Sequence, residues 1–272
     1  MKAPMKALDE HALLRHADEG TPWSDEVQAA AFGDLAAAYR QQAAVRALRL
    51  ARGEQPRGYK IGFTNRQIWD RYRVWAPIWG PVWSRTLAFC DGAGLVNLTG
   101  ICQPRIEPEI VFGIKTTPST SLTLDTLFDA IEWLAPGFET VQSHRPGWRF
   151  TAPETVADGA LHAHLLVGAR VPLADWVRDA AELHARLAAA EVQLLRDGQH
   201  VETGRGIHVL DSPLMALLHV VMELRQTPGA VELQPGDVVT TGTWTDAWPV
   251  QPGQTWQARF DAGLPALQAT YV

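Results

Sequence analysis

The sequence has few cysteines and no long apolar run. Its two cysteines, Cys90 and Cys102, are not spaced as C-x-x-C, so neither a disulfide framework nor a zinc–thiolate site is expected. The most apolar stretch, LMALLHVVM, contains His219 and is much shorter than the roughly 20 residues that a membrane-spanning helix needs. The first residues turn acidic before an apolar run can form, which argues against a secretory signal. We therefore expect a cytoplasmic protein that has no membrane partner.

The sequence also lacks an excess of basic residues. Its formal net charge is −6, and its lysines and arginines are scattered rather than clustered. Few positive charges are available to neutralise phosphates, so no nucleic-acid partner is expected. With 272 residues, of which 46% are hydrophobic and 20% charged, the chain has the composition of a globular protein with a sizeable core.

The first 57 residues predict an N-terminal helical arm. Apolar residues at helical spacing predict a short helix near residues 7–16 and a longer one that Ser24 caps and Gly53 ends. An amphipathic arm of this kind is typical of packing or dimerisation rather than of chemistry.

From residue 58 onwards short strands dominate. The Asp197-Gly198 dipeptide predicts a β-hairpin, helical spacing predicts a helix over 124–134, and Ser212 starts another that ends near Arg225. Because strands and helices do not alternate regularly, we predict an α+β fold: a catalytic domain over 58–272 built on a rolled, barrel-like mixed β-sheet.

Three glutamates lie in apolar segments that have the character of strands. Glu107 and Glu109 are two residues apart, so their side chains point to the same face of a strand. Glu139 follows Phe138 in another apolar segment. Buried carboxylates that meet are costly unless they share a cation, and an all-oxygen ligand set suits Mg²⁺ or Mn²⁺. The alternative is that these glutamates lie on a solvated face of the sheet.

Lys60, in the apolar segment GYKIGFT, is a further candidate for chemistry. Near a cation its pKa would fall, which suits a general acid or base; alternatively, it lies at a strand end with its ammonium group in water. The segment TTGTW offers hydroxyl and backbone N–H groups to a carboxylate. Three histidines have side chains whose pKa suits acid–base work, namely His144, His162 and His164.

The chain as a whole resembles a known family. It contains, in that family's order, the segments GYKIGFT, RIEPEIVF, PGFETVQS, WRFTAPETVADGA and LQPGDVVTTGTW. The family is that of 2-keto-4-pentenoate hydratase and 4-oxalocrotonate decarboxylase, within the fumarylacetoacetate hydrolase superfamily, and the resemblance extends from about residue 24 to the end. It implies the rolled β-fold of the superfamily and assembly as a homodimer or larger homo-oligomer.

The resemblance also implies a site and a reaction. Lys60 matches the family's active-site lysine, and Thr241 and Gly242 match a segment beside the substrate. The implied activity is that of a lyase of aromatic-compound catabolism, a hydratase or decarboxylase that acts on a 2-oxo or 2-hydroxydienoic acid through a metal-stabilised enolate. The residues that match the family's Mg²⁺ or Mn²⁺ ligands are Glu107, Glu109 and Glu139.

Three short motifs depart from the family pattern. The family's PDFG or PDYG has become a sequence with Ile78 and Trp79 at its centre. In the family's TVADNAS, Gly159 replaces the asparagine and Leu161 the serine, and Arg149 replaces the lysine of DWK. These changes remove polar groups that, in the family, handle water and the distal end of the substrate. They argue against simple hydration of a small dienoate and predict either a larger or more aromatic substrate or a different outcome at the enolate. The residues assigned to substrate binding are Ile78, Trp79, Arg149 and Leu161.

Two other functions stay open on the sequence. One is hydrolysis or tautomerisation of an acylpyruvate or oxaloacetate-like compound, for which related hydrolases use a His–Glu pair; His144 or His162 would have to substitute for its histidine. The other is a non-catalytic protein that binds 2-oxo acids on the same scaffold, since the acid expected at Ile78 is missing.

The segment RYRVWAPIWGPVW spaces three tryptophans four residues apart. Its two prolines exclude a regular helix. The tryptophans therefore either pack in the core or form an apolar wall of the distal pocket, at which Arg71 or Arg73 would meet an acidic group of the substrate.

Overall fold

The structure, a computed structural model, describes residues 8–272. Its α-helices are α1 (Glu10–Glu19), α2 (Leu35–Ala51), α3 (Trp69–Tyr72), α4 (Leu124–Phe128), α5 (Ala152–Ala157), α6 (Leu173–Trp176), α7 (Ala180–Ala189) and α8 (Pro213–Gln226). Its strands are β1 (Pro56–Gly62), β2 (Ile78–Trp83), β3 (Leu87–Phe89), β4 (Ala93–Val96), β5 (Arg105–Ile114), β6 (Ile131–Val141), β7 (His162–Val167), β8 (Val171–Pro172), β9 (Glu191–Arg196), β10 (Gln199–Arg205), β11 (Val238–Thr240), β12 (Trp248–Pro249), β13 (Thr255–Phe260) and β14 (Leu267–Tyr271).

The strands of the described chain form two mixed sheets. The larger has nine strands in the order β2-β1-β11-β5-β6-β7-β3, with β12 paired to β5 and β8 to β6. The smaller has five strands in the order β10-β9-β13-β14-β4. Parallel pairs such as β1–β11 and β3–β7 occur beside antiparallel pairs such as β5–β6. The prediction of an α+β fold on a curled mixed sheet is confirmed.

The long antiparallel pair β5–β6 lies at the centre of the larger sheet. Its register places Glu107 opposite Glu139 and Glu109 opposite Gly137. On the other side of β5, β11 pairs with it, and β11 in turn pairs with β1 so that Lys60 lies beside Thr240. Four neighbouring strands therefore bring one lysine and three glutamates to the same part of the sheet.

The helical arm differs from its prediction at both helix starts. The long helix begins at Leu35 rather than at Ser24, because Gly33 has a φ of 67° and the side chain of Asp34 accepts the N–H of Ala37 at 2.8 Å. The prediction that one helix runs from Ser24 to Gly53 is thus wrong over its first ten or so residues, which form turns and a short 3₁₀ helix. The first helix, α1, begins after the Asp9 cap, and residue 7 lies outside the described residues. The division into an arm of 1–57 and a domain of 58–272 stays a prediction.

The predicted helix over 124–134 is also wrong beyond its first five residues. Helix α4 ends at Phe128, and Ile131 already pairs with Ile114 as part of β6. Pro136 and Gly137, residue types that commonly end a helix, lie inside this strand. Pairing with the whole of β5 satisfies the backbone here and outweighs the helical spacing of the apolar residues.

The hairpin and the last long helix are confirmed. Asp197 and Gly198 both have positive φ, 50° and 80°, as a type I′ turn between β9 and β10 requires. Ser212 caps α8 by accepting the N–H of Met215. The segment Gly206–Gln226 is apolar and long enough for a membrane span by composition alone. However, α8 itself has 14 residues, about 21 Å against a bilayer core of about 30 Å, and one of its faces packs in the core.

Candidate active site

Three carboxylates meet at the middle of the β5–β6 pair. Glu107, Glu109 and Glu139 each offer an oxygen, and these oxygens lie within 4.8 Å of one another. Glu109 and Glu139 are fully buried, whereas Glu107 keeps partial contact with solvent. The side chains of Glu107 and Glu139 come together because their strands place them directly opposite each other, an arrangement that repulsion between like charges disfavours.

The carboxylate of Glu109 is held by the turn that follows β11. Its Oε2 accepts a hydrogen bond from the hydroxyl of Thr240 and one from the N–H of Gly242, the latter at 2.6 Å. Gly242 has a φ of 99°, and a Cβ at this position would come within 2.1 Å of Oγ1 of Thr64. Only glycine therefore lets the backbone approach Glu109 in this way.

Glu139 has a different partner on each oxygen. Nζ of Lys60 lies 3.1 Å from Oε2, in an ion pair of two buried side chains. Nδ1 of His162 lies 2.8 Å from Oε1, with the ring only 3% exposed. Among residues 8–272, Oε1 of Glu109 has no hydrogen-bond partner, and Oε2 of Glu139 has only the ion pair with Lys60.

The proximity of these groups shifts their pKa values. Burial raises the pKa of Glu107 to about 7, against the opposing charge of Lys60. Burial and the charges of Glu139 and Glu107 raise the pKa of Glu109 well above its ordinary value. Burial alone would lower the pKa of Lys60, but the three carboxylates outweigh it and raise that pKa. The lysine is therefore an ammonium in the metal-free protein, and the expectation of a lowered pKa holds only where a cation neutralises the acids.

The residues present fit a divalent cation. A single ammonium balances only one of three carboxylates, and the buried Oε1 of Glu109 has no hydrogen-bond donor in the described chain. An unpaired buried acceptor costs free energy that a bound cation would recover. Since all candidate ligand atoms are carboxylate oxygens, Mg²⁺ or Mn²⁺ suits the cluster better than zinc.

Lys60 and Glu107 open into a cavity of about 690 Å³, which we call the lysine cavity. Its volume lies in the range of small-molecule sites. One wall is a row of aromatic rings in which Tyr72 stacks on Phe63 with centroids 4.8 Å apart and on Phe150 at 5.7 Å. Trp148 continues the row, and the guanidinium of Arg105 lies 4.3 Å from the centre of its ring.

A second cavity of about 280 Å³, which we call the histidine cavity, is lined by other residues. Its walls include His162 and His164, which share one face of β7, together with four arginines. Burial and the neighbouring His162 lower the pKa of His164 to about 4. His144 also lines it and contacts Asp158 at 2.5 Å; burial disfavours the imidazolium, but Asp158 outweighs burial and raises the pKa of His144. All three histidines singled out in the sequence thus lie away from the wall that Lys60 forms.

Comparison with known proteins decides the family. Residues 86–272 match the family model described as Fumarylacetoacetate (FAA) hydrolase C-terminal. The chain belongs to this family. It is 32% identical over 224 residues to 2-hydroxyhexa-2,4-dienoate hydratase of Comamonas testosteroni, covering 81% of this chain and 78% of the relative. It is 28% identical over 225 residues to 4-oxalocrotonate decarboxylase of a Pseudomonas species, covering 81% and 82%.

The fold of this family member agrees with a solved structure. The 4-oxalocrotonate decarboxylase of Pseudomonas putida G7, complexed with magnesium and adipate, superposes with a TM-score of 0.84. The match covers 97% of this chain and 95% of that chain at 24% identity. The predicted resemblance to the hydratase and decarboxylase group is therefore confirmed, and the superposition supports the fold.

The structure brings some of the predicted substrate residues to the lysine cavity and leaves others outside it. Ile78, Leu161 and Gly242 line the cavity. Trp79 does not, because successive residues of β2 point to opposite faces, and its ring packs against Tyr39 with centroids 4.6 Å apart.

Two more predicted residues lie outside the cavity lining. Arg149 is exposed to solvent between two residues that do line it. Thr241 is buried, and its hydroxyl donates to the carbonyl of Ile110 at 2.8 Å, so it supports β5 instead of facing the cavity. In the tryptophan segment, Trp75 is 72% exposed and Trp83 packs beneath Arg49. Arg71 lines the cavity, whereas its neighbour Arg73 does not.

The sequence analysis missed the aromatic row and Arg105. A signal existed for Arg105, because it precedes Glu107 by two residues and so shares its face of the strand. Trp148 and Phe150, which flank Arg149, carried a weaker signal, because they are two aromatic residues in one short motif. Nothing in the sequence indicated that Tyr72, from the segment before β2, would stack between Phe63 and Phe150.

Proposed function

We propose that this chain is a divalent-metal-dependent lyase, a hydratase or decarboxylase that acts on a 2-oxo or 2-hydroxydienoic acid. The observation that carries this proposal is the buried cluster of Glu107, Glu109 and Glu139 with Lys60 at its edge and a substrate-sized cavity beside it. The relatives named above support it, since they are a dienoate hydratase and a decarboxylase.

The three glutamates would hold Mg²⁺ or Mn²⁺. Such a cation, when bound, supplies positive charge that orients a 2-oxo acid and stabilises negative charge developing on its oxygen. Glu109 is the most firmly positioned of the three, because Thr240 and Gly242 donate to one of its oxygens and leave the other free.

Lys60 is the group that holds a proton at the cavity wall. The ion pair with Glu139 keeps Nζ protonated, and the aliphatic part of the side chain is buried. We propose that Nζ donates a proton to, or accepts one from, the carbon skeleton of the substrate. A positioned acid–base group of this kind contributes a factor of about 10² to 10⁴ to the rate.

The far end of the lysine cavity suits a flat, apolar substituent. The ring row of Phe63, Tyr72 and Phe150 offers stacking surfaces, and Ile78 and Leu161 replace polar residues of the family. Arg71 and Arg105 line the same cavity, and in the described chain neither has an ion-pair partner. We therefore propose a 2-oxo acid larger than a short dienoate, with a polar or acidic group that reaches one of these arginines.

Hydrolysis is a weaker candidate on this geometry. A His–Glu pair does exist, between His162 and Glu139, but the ring of His162 lines the histidine cavity and not the lysine cavity. We therefore do not assign the activation of water beside the substrate to that histidine. We also propose a cytoplasmic homodimer or larger homo-oligomer, which light scattering and fractionation would test.

The deciding experiment combines metal binding with product analysis. In Glu109→Gln we expect the Mg²⁺ affinity measured by calorimetry to fall by roughly 100-fold or more, beyond the 10–100-fold that loss of a supporting group costs. Glu132→Gln, a change at an exposed position of the paired strand β6, is the matched control and should bind like the wild type. With a panel of 2-oxo acids, CO₂ identifies a decarboxylase, a hydroxy-oxo acid a hydratase, and two carboxylic acids a hydrolase. Metal binding without turnover of any compound would favour the non-catalytic alternative, and unchanged affinity in Glu109→Gln would refute the site.

A further inference from the structure

His162 contacts a candidate metal ligand from the side opposite Lys60. Its Nδ1 lies 2.8 Å from Oε1 of Glu139, while Lys60 is 3.1 Å from Oε2. The two oxygens of this carboxylate therefore have separate partners. Oε1 is bound by a ring that is almost completely buried, and Oε2 forms the ion pair with Lys60.

The other ring nitrogen of His162 is bound as well. Nε2 lies 2.8 Å from Oγ1 of Thr86, in the turn between β2 and β3. An ionised carboxylate can only accept, so Nδ1 must be the nitrogen that donates to Glu139. Thr86 can either donate to Nε2 or accept from it, so the hydrogen bond to Glu139 does not depend on the charge of the ring. Both torsions of the imidazole are thereby fixed by partners on two different elements.

The location of the ring excludes a direct role in catalysis. His162 lines the histidine cavity, whereas Lys60 and Glu107 line the lysine cavity in which a substrate would bind. With both nitrogens already engaged, it has no free atom for a metal or a substrate. What it can still do is restrict the rotation of the Glu139 carboxylate.

We propose that His162 is a positioning residue for the metal site: its Nδ1–H holds Oε1 of Glu139 and keeps Oε2 turned towards Lys60 and the other two glutamates. This inference rests on the proposed function, because it assumes that Glu139 is a metal ligand. Carboxylate ligands are commonly held by such hydrogen bonds, and loss of the supporting group costs about 10–100-fold in metal affinity.

The test measures binding of Mg²⁺ by calorimetry and of Mn²⁺ by electron paramagnetic resonance, both without substrate. In His162→Leu we expect the affinity to fall by about 10–100-fold. In His162→Asn, whose amide N–H can stand near the position of Nδ1, we expect most of that affinity to return. Circular dichroism at the titration temperature checks that each variant is folded.

The chain offers a matched control in His164. It lies two residues further along the same face of β7, lines the same cavity and makes no hydrogen bond to a candidate ligand. His164→Leu should therefore bind Mg²⁺ like the wild type. Thr86→Val removes the support of His162 without touching the carboxylate, and it should weaken binding less than His162→Leu. It keeps the inference testable if His162→Leu does not fold.

Two outcomes would overturn the inference alone. They are wild-type affinity in His162→Leu and Thr86→Val, and an equal loss in His164→Leu, which would show a general packing effect. A wild-type protein that binds neither Mg²⁺ nor Mn²⁺, or unchanged affinity in Glu109→Gln, would overturn the proposed function together with this inference. Glu109→Gln separates the two failures because it tests the site without involving His162.

Discussion

The lysine cavity and the histidine cavity differ in charge, although they are joined by one carboxylate. Glu139 contacts Lys60 on the first side and His162 on the second. Within residues 8–272, the carboxylate cluster leaves Oε1 of Glu109 without a partner and gives Oε2 of Glu139 only the ion pair with Lys60. At the histidine cavity the unpaired buried atoms are nitrogens, those of Arg46, His144 and His164.

This difference favours a cation at the carboxylate cluster over one in the histidine cavity. Unmet acceptors that converge on a point are stabilised by a metal, whereas scattered unmet nitrogens around arginines are not. Histidines are common in catalysis, yet here they lie on the side that supports the carboxylates. We propose that the chemistry takes place in the lysine cavity, and this proposal predicts that variants on the two sides will have separate effects in solution.

The largest effect is expected at Lys60. Lys60→Ala should lower the rate of exchange of the C3 hydrogens of pyruvate for deuterium, followed by NMR with saturating Mg²⁺, by about 10² to 10⁴-fold. The reason is that Nζ is the proton-carrying atom at the wall of the lysine cavity. His164→Gln, on the histidine cavity, should exchange at the wild-type rate. Unchanged exchange in Lys60→Ala would remove the lysine from the mechanism.

The pH dependence of stability should come next in size. The pKa of Glu107 is raised to about 7 from its ordinary 4.5, so between those values the folded protein keeps a proton that the unfolded chain has lost. The free energy of unfolding of the metal-free protein should therefore decrease through this window, by about 1–3 kcal/mol from this group. It is measured by urea unfolding at pH 5 to 8 with EDTA, as the difference between the wild type and Glu107→Gln.

Saturating Mg²⁺ should remove the difference between the wild type and Glu107→Gln in how the free energy of unfolding changes with pH, because the cation competes with the protons for the same oxygens.

The histidine cavity supplies a control in which stability changes with pH in the opposite direction. The pKa of His164 is lowered to about 4, so its contribution to stability is present above pH 6.5 and is lost as the pH falls towards 4. His164→Gln should alter only that acidic range. If the free energy of unfolding of metal-free Glu107→Gln changes with pH between 5 and 8 as steeply as that of the wild type, the raised pKa does not belong to Glu107.

Much of this arrangement could be predicted from the sequence, because local rules and tertiary structure agree at these positions. The i, i+2 spacing of Glu107 and Glu109 placed both on one face of a strand, and the Asp197-Gly198 pair determined a hairpin turn. Lys60 in an apolar strand was recognisable for the same reason. The carboxylates meet as expected, although their role as ligands stays a prediction.

Other features depend on contacts that no local pattern contains. Ile131 and Leu134 have helical spacing, but pairing with β5 makes them part of a strand. The side to which a strand residue points decides between cavity and core, and for Trp79 this was not predictable without knowing the face that Ile78 occupies. His162 was one of three equivalent histidines on the sequence. The β6–β7 register pairs it with Val141, two residues from Glu139, and its ring reaches the Glu139 carboxylate at 2.8 Å.

The smallest effect is expected at the aromatic wall. Tyr72→Ala removes the middle ring between Phe63 and Phe150, and it should lower kcat/KM for an aryl-substituted 2-oxo acid relative to 2-oxobutanoate by about 2–10-fold, because such ring contacts contribute about 0.5–1.5 kcal/mol. Tyr72→Phe keeps the ring and should keep the ratio. Trp79→Ala should lower thermal stability, since its ring packs on Tyr39 away from the lysine cavity, and leave the ratio unchanged. If Trp79→Ala shifts the ratio as much as Tyr72→Ala does, substrate selection extends beyond the lysine cavity and the separation of the two regions fails.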